Sequence, residues 1–266
     1  MNASGSPPSW QDNMFRQFLN PPNWFTAASM FCGMYAIVLA VGLNGDPDFY
    51  RAGLMILFAG VFDTIDGGVA RLTKTGSDFG IQLDSLVDVV SFGVAPAFLL
   101  YAWGASAFGT LGLVIAFFYA LCATFRLARF NTKADGSKSA WNEGLAVTMA
   151  GAGVASAVMA HSYIDGNFNH SASALLIAIL LSILMVSSVP YRGWKTLRLR
   201  GRDLFGVALT LGFTLVMAVR VDISWAFFLG SIVYVGSGPV EALFTRRWRV
   251  SDHDDLQVAG VRISDD

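Results

Sequence analysis

Four aspartates stand in a stretch that is otherwise almost wholly apolar. Asp63, Asp66, Asp84 and Asp88 fall within FDTIDGGVARLTKTGSDFGIQLDSLVDVVSFGVAPA. Asp63 and Asp66 are i,i+3 and Asp84 and Asp88 are i,i+4, so on helices each pair shares a face. Carboxylates gathered within a few ångströms repel one another unless cations are present. Oxygen-only ligands suit hard divalent ions, Mg²⁺ or Mn²⁺, and two carboxylate pairs make a two-metal arrangement feasible. Gly67 follows Asp66, Ala70 is one turn further on, and Gly80 is one turn before Asp84. Small side chains there let a ligand or another backbone approach closely, with a plain helix-packing notch as the competing reading. Arg71 sits one residue beyond Ala70. It is either an anchor at the helix end or a guanidinium aimed at phosphate oxygens.

The elements that must position these groups follow from composition. Of 266 residues, 54% are apolar and 14% charged, and the mean hydropathy is +0.53. Soluble proteins carry about 25% charged residues. With a net charge of −1, this composition excludes a disordered chain, a secreted disulfide scaffold and a basic nucleic-acid binder. Cys32 and Cys122 lie in apolar runs and read as buried thiols. A membrane-spanning helix needs about 20 apolar residues. Eight such runs are expected, at 24–44, 50–72, 79–103, 109–130, 144–163, 171–190, 203–220 and 223–244. The expectation is therefore an all-α integral membrane protein of about eight transmembrane helices. Residues 1–20 read as an interfacial segment, 21–249 as the membrane-embedded domain and 250–266 as a polar cytoplasmic tail.

Orientation follows from the bases. Arg16, Arg71, Lys74, the four bases of 126–138, the five of 192–202 and the four of 246–262 fall on one side. They make up 16 of the 18 Lys and Arg residues, leaving Arg51 and Arg220 opposite. Under the positive-inside rule both termini are cytoplasmic. A bacterial cytoplasmic membrane is the expected location.

The acids then lie inside the membrane, where each ionisable side chain costs at least ~2.5–3.5 kcal/mol. A turn at 73–77 sets the two helices antiparallel. At 1.5 Å per residue, Asp66 and Asp84 lie about 12 and 9 Å from the turn, and Asp63 and Asp88 about 16 and 15 Å. The four carboxylates thus form two facing layers in the cytoplasmic half. Metals and an arginine in a cleft open to both water and lipid point to moving a phosphoryl group between a soluble molecule and a lipid.

The pattern Asp63-x-x-Asp66-Gly67-x-x-Ala70-Arg71, eight residues, then Gly80-x-x-x-Asp84-x-x-x-Asp88 resembles the signature of the CDP-alcohol phosphatidyltransferases, without gap or substitution. The resemblance implies a six-helix membrane core, usually a homodimer, that binds a CDP-linked lipid and two divalent metals, with CMP as leaving group. It implies that Asp63, Asp66, Asp84 and Asp88 share metal coordination, with Asp88 as the base. Asp63, Asp66, Gly67, Ala70, Arg71, Gly80 and Asp84 would hold the CDP-lipid, with the cytidine end lying against the small residues. Four further stretches resemble the branch that transfers the phosphatidyl group of CDP-diacylglycerol to L-serine. These are Pro22–Thr26 with Cys32-Gly33, Ser91–Pro96, Arg126–Asn131 and Pro190–Lys195. Where that branch shows a Gly-Leu-Pro-like turn, this chain has Gly144-Leu145-Ala146.

Serine needs a cation for its carboxylate. Arg126 and Arg129 are i,i+3 at a cytoplasmic helix end, and Asn131 is near one turn beyond Arg126. They are the expected acceptor-binding residues, against the reading of plain helix anchors. Glycerol 3-phosphate, inositol phosphate and choline remain alternative acceptors, since the arginine pair suits a carboxylate or a phosphate. Asn23 and Thr26 read as helix-capping candidates. His161, His170 and His253 read as solvated, with no catalytic role. An ion-coupled transporter is the distant alternative. Such proteins spread their ion sites over repeat-related helices, whereas these acids cluster in one hairpin.

Overall fold

Proline suits a helix start, because its fixed φ is already helical and its missing N–H is one the first turn leaves unpaired. In the computed structural model, which describes residues 20–43, 45–73, 77–134, 141–161, 170–192 and 223–258, Pro21 and Pro22 begin the first helix. This helix, α1 (Pro21–Val41), stops at Gly42, whose φ of 73° and N–H bond to the Val38 carbonyl close the end. After it come α2 (Phe49–Thr73) and α3 (Asp78–Asp88). The Ser77 side chain caps α3 by accepting from the Gly80 N–H at 3.1 Å. A π-helical turn (Val89–Val94) leads without a break into α4 (Ala95–Trp103). Next are α5 (Thr110–Ala134), β1 (Trp141–Glu143), α6 (Val147–His161), α7 (His170–Val186), β2 (Pro190–Arg192) and α8 (Ile223–Val258).

Within lipid there is little hydrophobic gain from pairing helices, so close packing of small residues carries the association. The face of α1 turned inward is Asn23, Thr26, Ser29, Gly33, Ala36 and Ala40, and the inward face of α2 carries Ala52, Gly53, Ile56 and Ala59. Small residues recur every third or fourth position, letting α1 pack closely on its neighbours, Gly33 against Ser91 of the π turn, and α2 on α6, Gly53 against Met159. Phe92, Leu99, Tyr119, Leu145, Val154 and Met185 fill the centre of the bundle. Large apolar side chains such as Trp24, Phe31, Phe117, Leu176 and Ile183 face outward, as a lipid-facing exterior requires.

Four helical stretches are long and apolar enough to cross a membrane: Pro21–Val41, Phe49–Thr73, Phe79–Trp103 and Thr110–Thr132. They coincide with the first four expected spans, and the apolar helices fit a multi-pass integral membrane protein. The eightfold count is not reached among the described residues. Helices α6 and α7 have 15 and 17 residues, and the apolar part of α8 is Ser224–Val240. The shortening has a local cause. Gly144 takes a left-handed φ of 78°, and β1 pairs antiparallel with β2, Asn142 opposite Tyr191. Residues 144–146 and 187–189, where α6 and α7 were expected to continue, instead join the helices to this small ribbon, which is the one departure from an all-α fold among the described residues. The seventh expected span, the 1–19 segment and the 73–77 turn at 74–76 lie outside the described residues. Helix α8 runs on through Val258, so the first residues of the expected tail continue it.

Two prolines inside helices set the positions of two tyrosines. Pro96 has no N–H to give the Phe92 carbonyl, and Pro239 has none for that of Val235. In a membrane each such carbonyl must find a donor within the protein. The Tyr119 hydroxyl donates to the Phe92 oxygen at 3.4 Å, and the Tyr191 hydroxyl donates to the Val235 oxygen at 3.1 Å. Burial, with Tyr234 alongside, pushes the Tyr191 phenol up to about 12, so it remains a donor at neutral pH. Gly238 leaves the space that the Tyr191 ring fills. Replacing Tyr119 by Phe strands the buried Phe92 carbonyl. It should lower unfolding stability in detergent by about 1–3 kcal/mol, read from a denaturation midpoint.

Candidate active site

The α2–α3 hairpin brings the acids together. Carboxylate oxygens of Asp63, Asp66 and Asp84 all lie within 4.8 Å of one another. Asp88, one turn deeper on α3, adjoins Asp63. Asp63 thus groups with Asp66 and Asp84, and Asp88 stands beside it. Asp66 is buried, with 6% of its surface exposed, while Asp63, Asp84 and Asp88 are half-buried.

One contact from a third helix orients the cluster. The Thr26 hydroxyl of α1 donates to Asp66 Oδ2 at 2.8 Å. This residue was a capping candidate in the sequence, but the N-cap position is Asn20. Asn23 is buried and takes its place beside the cleft rather than at a cap. A cleft of about 520 Å³ opens against the acids, between α1, α2 and α3. Its walls include Asn23, Thr26, Asp66, Gly67, Ala70, Gly80 and Asp84, together with Asn20, Pro22, Ser77 and Ile81. A Cβ added to Gly67 would meet nothing within 4 Å, and one on Gly80 would come 3.5 Å from Asn23 Oδ1. Gly67 is thus open space facing the cleft and not a notch filled by a neighbouring helix. Asn20, Asn23, Thr26, Ser77 and Ile81 are wall residues that motif spacing does not reveal. The available signal was the pairing of polar Asn23 and Thr26 at i,i+3 on one face of an apolar helix.

The other expected residues are placed as follows. Arg71 is exposed on the last turn of α2 and is not among the residues lining the cleft. Arg126 is buried, 8% exposed, and its Nε has no hydrogen-bond partner. Asp88 lies in its neighbourhood without ion-pair contact. Arg129 instead spends its donors on main chain. It bonds the carbonyls of Val186 at 3.1 Å, Glu143 at 3.0 Å and Ser187 at 3.3 Å, tying α5 to the end of β1 and the end of α7. A Cβ on Gly144 would crowd its Nη2 at 2.9 Å, so the glycine that opens the Gly144-Leu145-Ala146 turn is needed for that tie. Asn131 Nδ2 donates to Ser85 Oγ at 2.9 Å, fixing α5 against the helix of Asp84 and Asp88. His161 is not solvated as expected. It is half-buried, with its ring 5.3 Å from Trp103 and 4.4 Å from His170.

A family model described as CDP-alcohol phosphatidyltransferase matches residues 19–194. The chain belongs to this family. It is 32% identical over 226 residues to a CDP-diacylglycerol–serine O-phosphatidyltransferase of Helicobacter pylori, covering 84% of this chain and 91% of the relative. An archaetidylserine synthase of Methanothermobacter thermautotrophicus is 35% identical over 184 residues, 68% of this chain and 72% of the relative. A CDP-diacylglycerol–serine O-phosphatidyltransferase of Saccharomyces cerevisiae is 44% identical over 116 residues, 42% and 41% of the two chains.

Family members are generally divalent-metal dependent, and the residues here fit a hard cation. The donors are all oxygen, three carboxylates converge on one point, and buried Asp88 Oδ1 lacks any hydrogen-bond partner. Thr26 matters to that fit as the group that orients Asp66. A Thr26→Val variant should bind Mn²⁺ about tenfold more weakly, the usual effect of losing a partner that orients a ligand. The electron paramagnetic resonance signal of free Mn²⁺ reads this directly, and unchanged affinity would count against the role.

Proposed function

We propose that this enzyme transfers the phosphatidyl group of CDP-diacylglycerol to L-serine, giving phosphatidylserine and CMP in phospholipid biosynthesis. The observation that carries the reading is the carboxylate cluster of Asp63, Asp66 and Asp84, of which Asp66 and Asp84 line a cleft together with Gly67, Ala70 and Gly80. The names of relatives aligned over most of the chain support serine as acceptor.

Asp63, Asp66, Asp84 and Asp88 would hold Mg²⁺ or Mn²⁺, with two ions as the expected number. When bound, the ions would neutralise pyrophosphate charge and stabilise the departing CMP. Gly67, Ala70 and Gly80 leave the room in which the cytidine end lies against backbone. Arg71, exposed one residue beyond cleft-lining Ala70, would pair with a phosphate of the CDP-lipid from outside the cleft wall. The lipid enters sideways from the bilayer. Asp88 accepts the proton of the serine hydroxyl as its oxygen bonds to the phosphorus nearest the lipid. The bond from that phosphorus to CMP breaks in the same displacement.

Arg126 is the cation for the serine carboxylate, since its buried Nε is uncommitted and Asp88 is near. Arg129 and Asn131 serve the same pocket by holding α5 in place. The domain runs from 21 to 249, with 1–20 on the interface and 250–266 cytoplasmic. Both termini face the cytoplasm of a bacterial cell, and the enzyme works as a homodimer.

Purified enzyme given CDP-diacylglycerol and Mn²⁺ or Mg²⁺ should release CMP only when L-serine is added. Release with glycerol 3-phosphate, inositol phosphate or choline instead would replace the acceptor, and release with none would overturn the transferase reading. Asp88→Asn should reduce turnover by at least about a hundredfold, the scale of general-base catalysis, while CDP-lipid binding persists. Near-normal turnover in that variant would remove Asp88 as the base.

A further inference from the structure

The family match ends at residue 194, yet α8 packs against α6 and β2 in the described fold. Tyr234 of α8 lies close to Arg126, and its ring lies 5.7 Å from that of Tyr191. The Tyr191 hydroxyl is committed to the carbonyl freed by Pro239, and Gly238 admits its ring. Pro239, Gly238 and Tyr191 therefore fix the rotation of α8 that turns Tyr234 toward Arg126. Arg126 itself is more than nine-tenths buried with Nε unpartnered. The ion pair recorded among the described residues, Arg51 with Asp48, lies elsewhere. The groups facing this guanidinium are thus Asp88, Tyr234 and Arg129. No carboxylate among the described residues is in ion-pair contact with it, and a buried guanidinium so placed is a receptor for an anion supplied from outside.

We propose that Tyr234 is a specificity-determining residue of the acceptor pocket, its hydroxyl donating to the same acceptor carboxylate that Arg126 pairs with. This rests on the serine reading above. It gives α8 a part in choosing an amino-acid acceptor, beside the part α5 plays. An alcohol without a carboxylate would leave both the guanidinium and the phenol unmatched, and that penalty discriminates more strongly than a lost apolar contact.

The test is steady-state kinetics of Tyr234→Phe, which keeps the ring stacked on Tyr191 and removes only the hydroxyl. The KM for L-serine should rise about tenfold, the scale of one hydrogen bond to a charged group. The kcat and the KM for CDP-diacylglycerol should stay within twofold of wild type. Isothermal titration of L-serine into the enzyme should show the same weakening without turnover. A serine KM within twofold of wild type, or an equal rise in both KM values, overturns the assignment while the serine reading stands. Wild-type enzyme that releases no CMP with serine overturns the serine reading and the assignment with it.

Discussion

Carboxylates in hydrocarbon are tolerated only where something holds them together and something answers their charge. Asp63, Asp66, Asp84 and Asp88 set that requirement, and much of the surrounding structure meets it. The hairpin of α2 and α3 brings two helix faces opposite one another, so that three carboxylates converge within 4.8 Å. Helix α1 lies against α2, and Thr26 reaches Asp66 from it. Helix α5 is fixed to α3 through Asn131 and Ser85. Each of these contacts limits how far the acids can move apart. A cluster with this much mutual repulsion is held ready for cations and not relaxed away from them.

The same solvent governs the backbone. Irregular turns at membrane depth survive only when their freed groups find donors inside the protein. The π turn directly after Asp88 and the proline within α8 each release a carbonyl, and a buried tyrosine meets each one. Such π turns commonly occur beside functional sites, because an extra residue re-aims the side chains that follow. Here the turn places Ser91 against α1, where its hydroxyl donates to the Ser29 carbonyl at 3.1 Å. It also places Phe92 at the centre of the bundle, where Gly151 leaves room for it. Arg129 plays the corresponding part at the ribbon, meeting three carbonyls that neither helix end can satisfy alone.

The two arginines of α5 show where sequence stops. Arg126 and Arg129 are three residues apart and chemically identical, and spacing assigns both to the acceptor. In the fold one is buried with an unpartnered Nε and the other is spent on Val186, Glu143 and Ser187. The difference depends on where α7 ends and on the left-handed Gly144, which are contacts across 14 to 58 residues of chain. Thr26 was missed as an aspartate partner for a similar reason. A threonine near a helix start looks like a cap until a partner 40 residues away is seen beside it.

What sequence alone determined was whatever is local or bears the mark of the solvent. The apolar composition named the membrane, and the helical periods of the aspartates put each pair on one face. The 1.5 Å rise gave their relative depth, and Gly67, Ala70 and Gly80 marked the open side of the cleft. These depend on a residue's own neighbours and on the cost of charge in lipid, both readable along the chain. Tertiary structure decided which helices meet, which polar groups are already paired and which are left for a ligand. It shortened α6 and α7, separated Arg126 from Arg129, and brought Tyr234 of α8 to the pocket. Those outcomes depend on packing and hydrogen bonds between distant segments, and no local pattern encodes them.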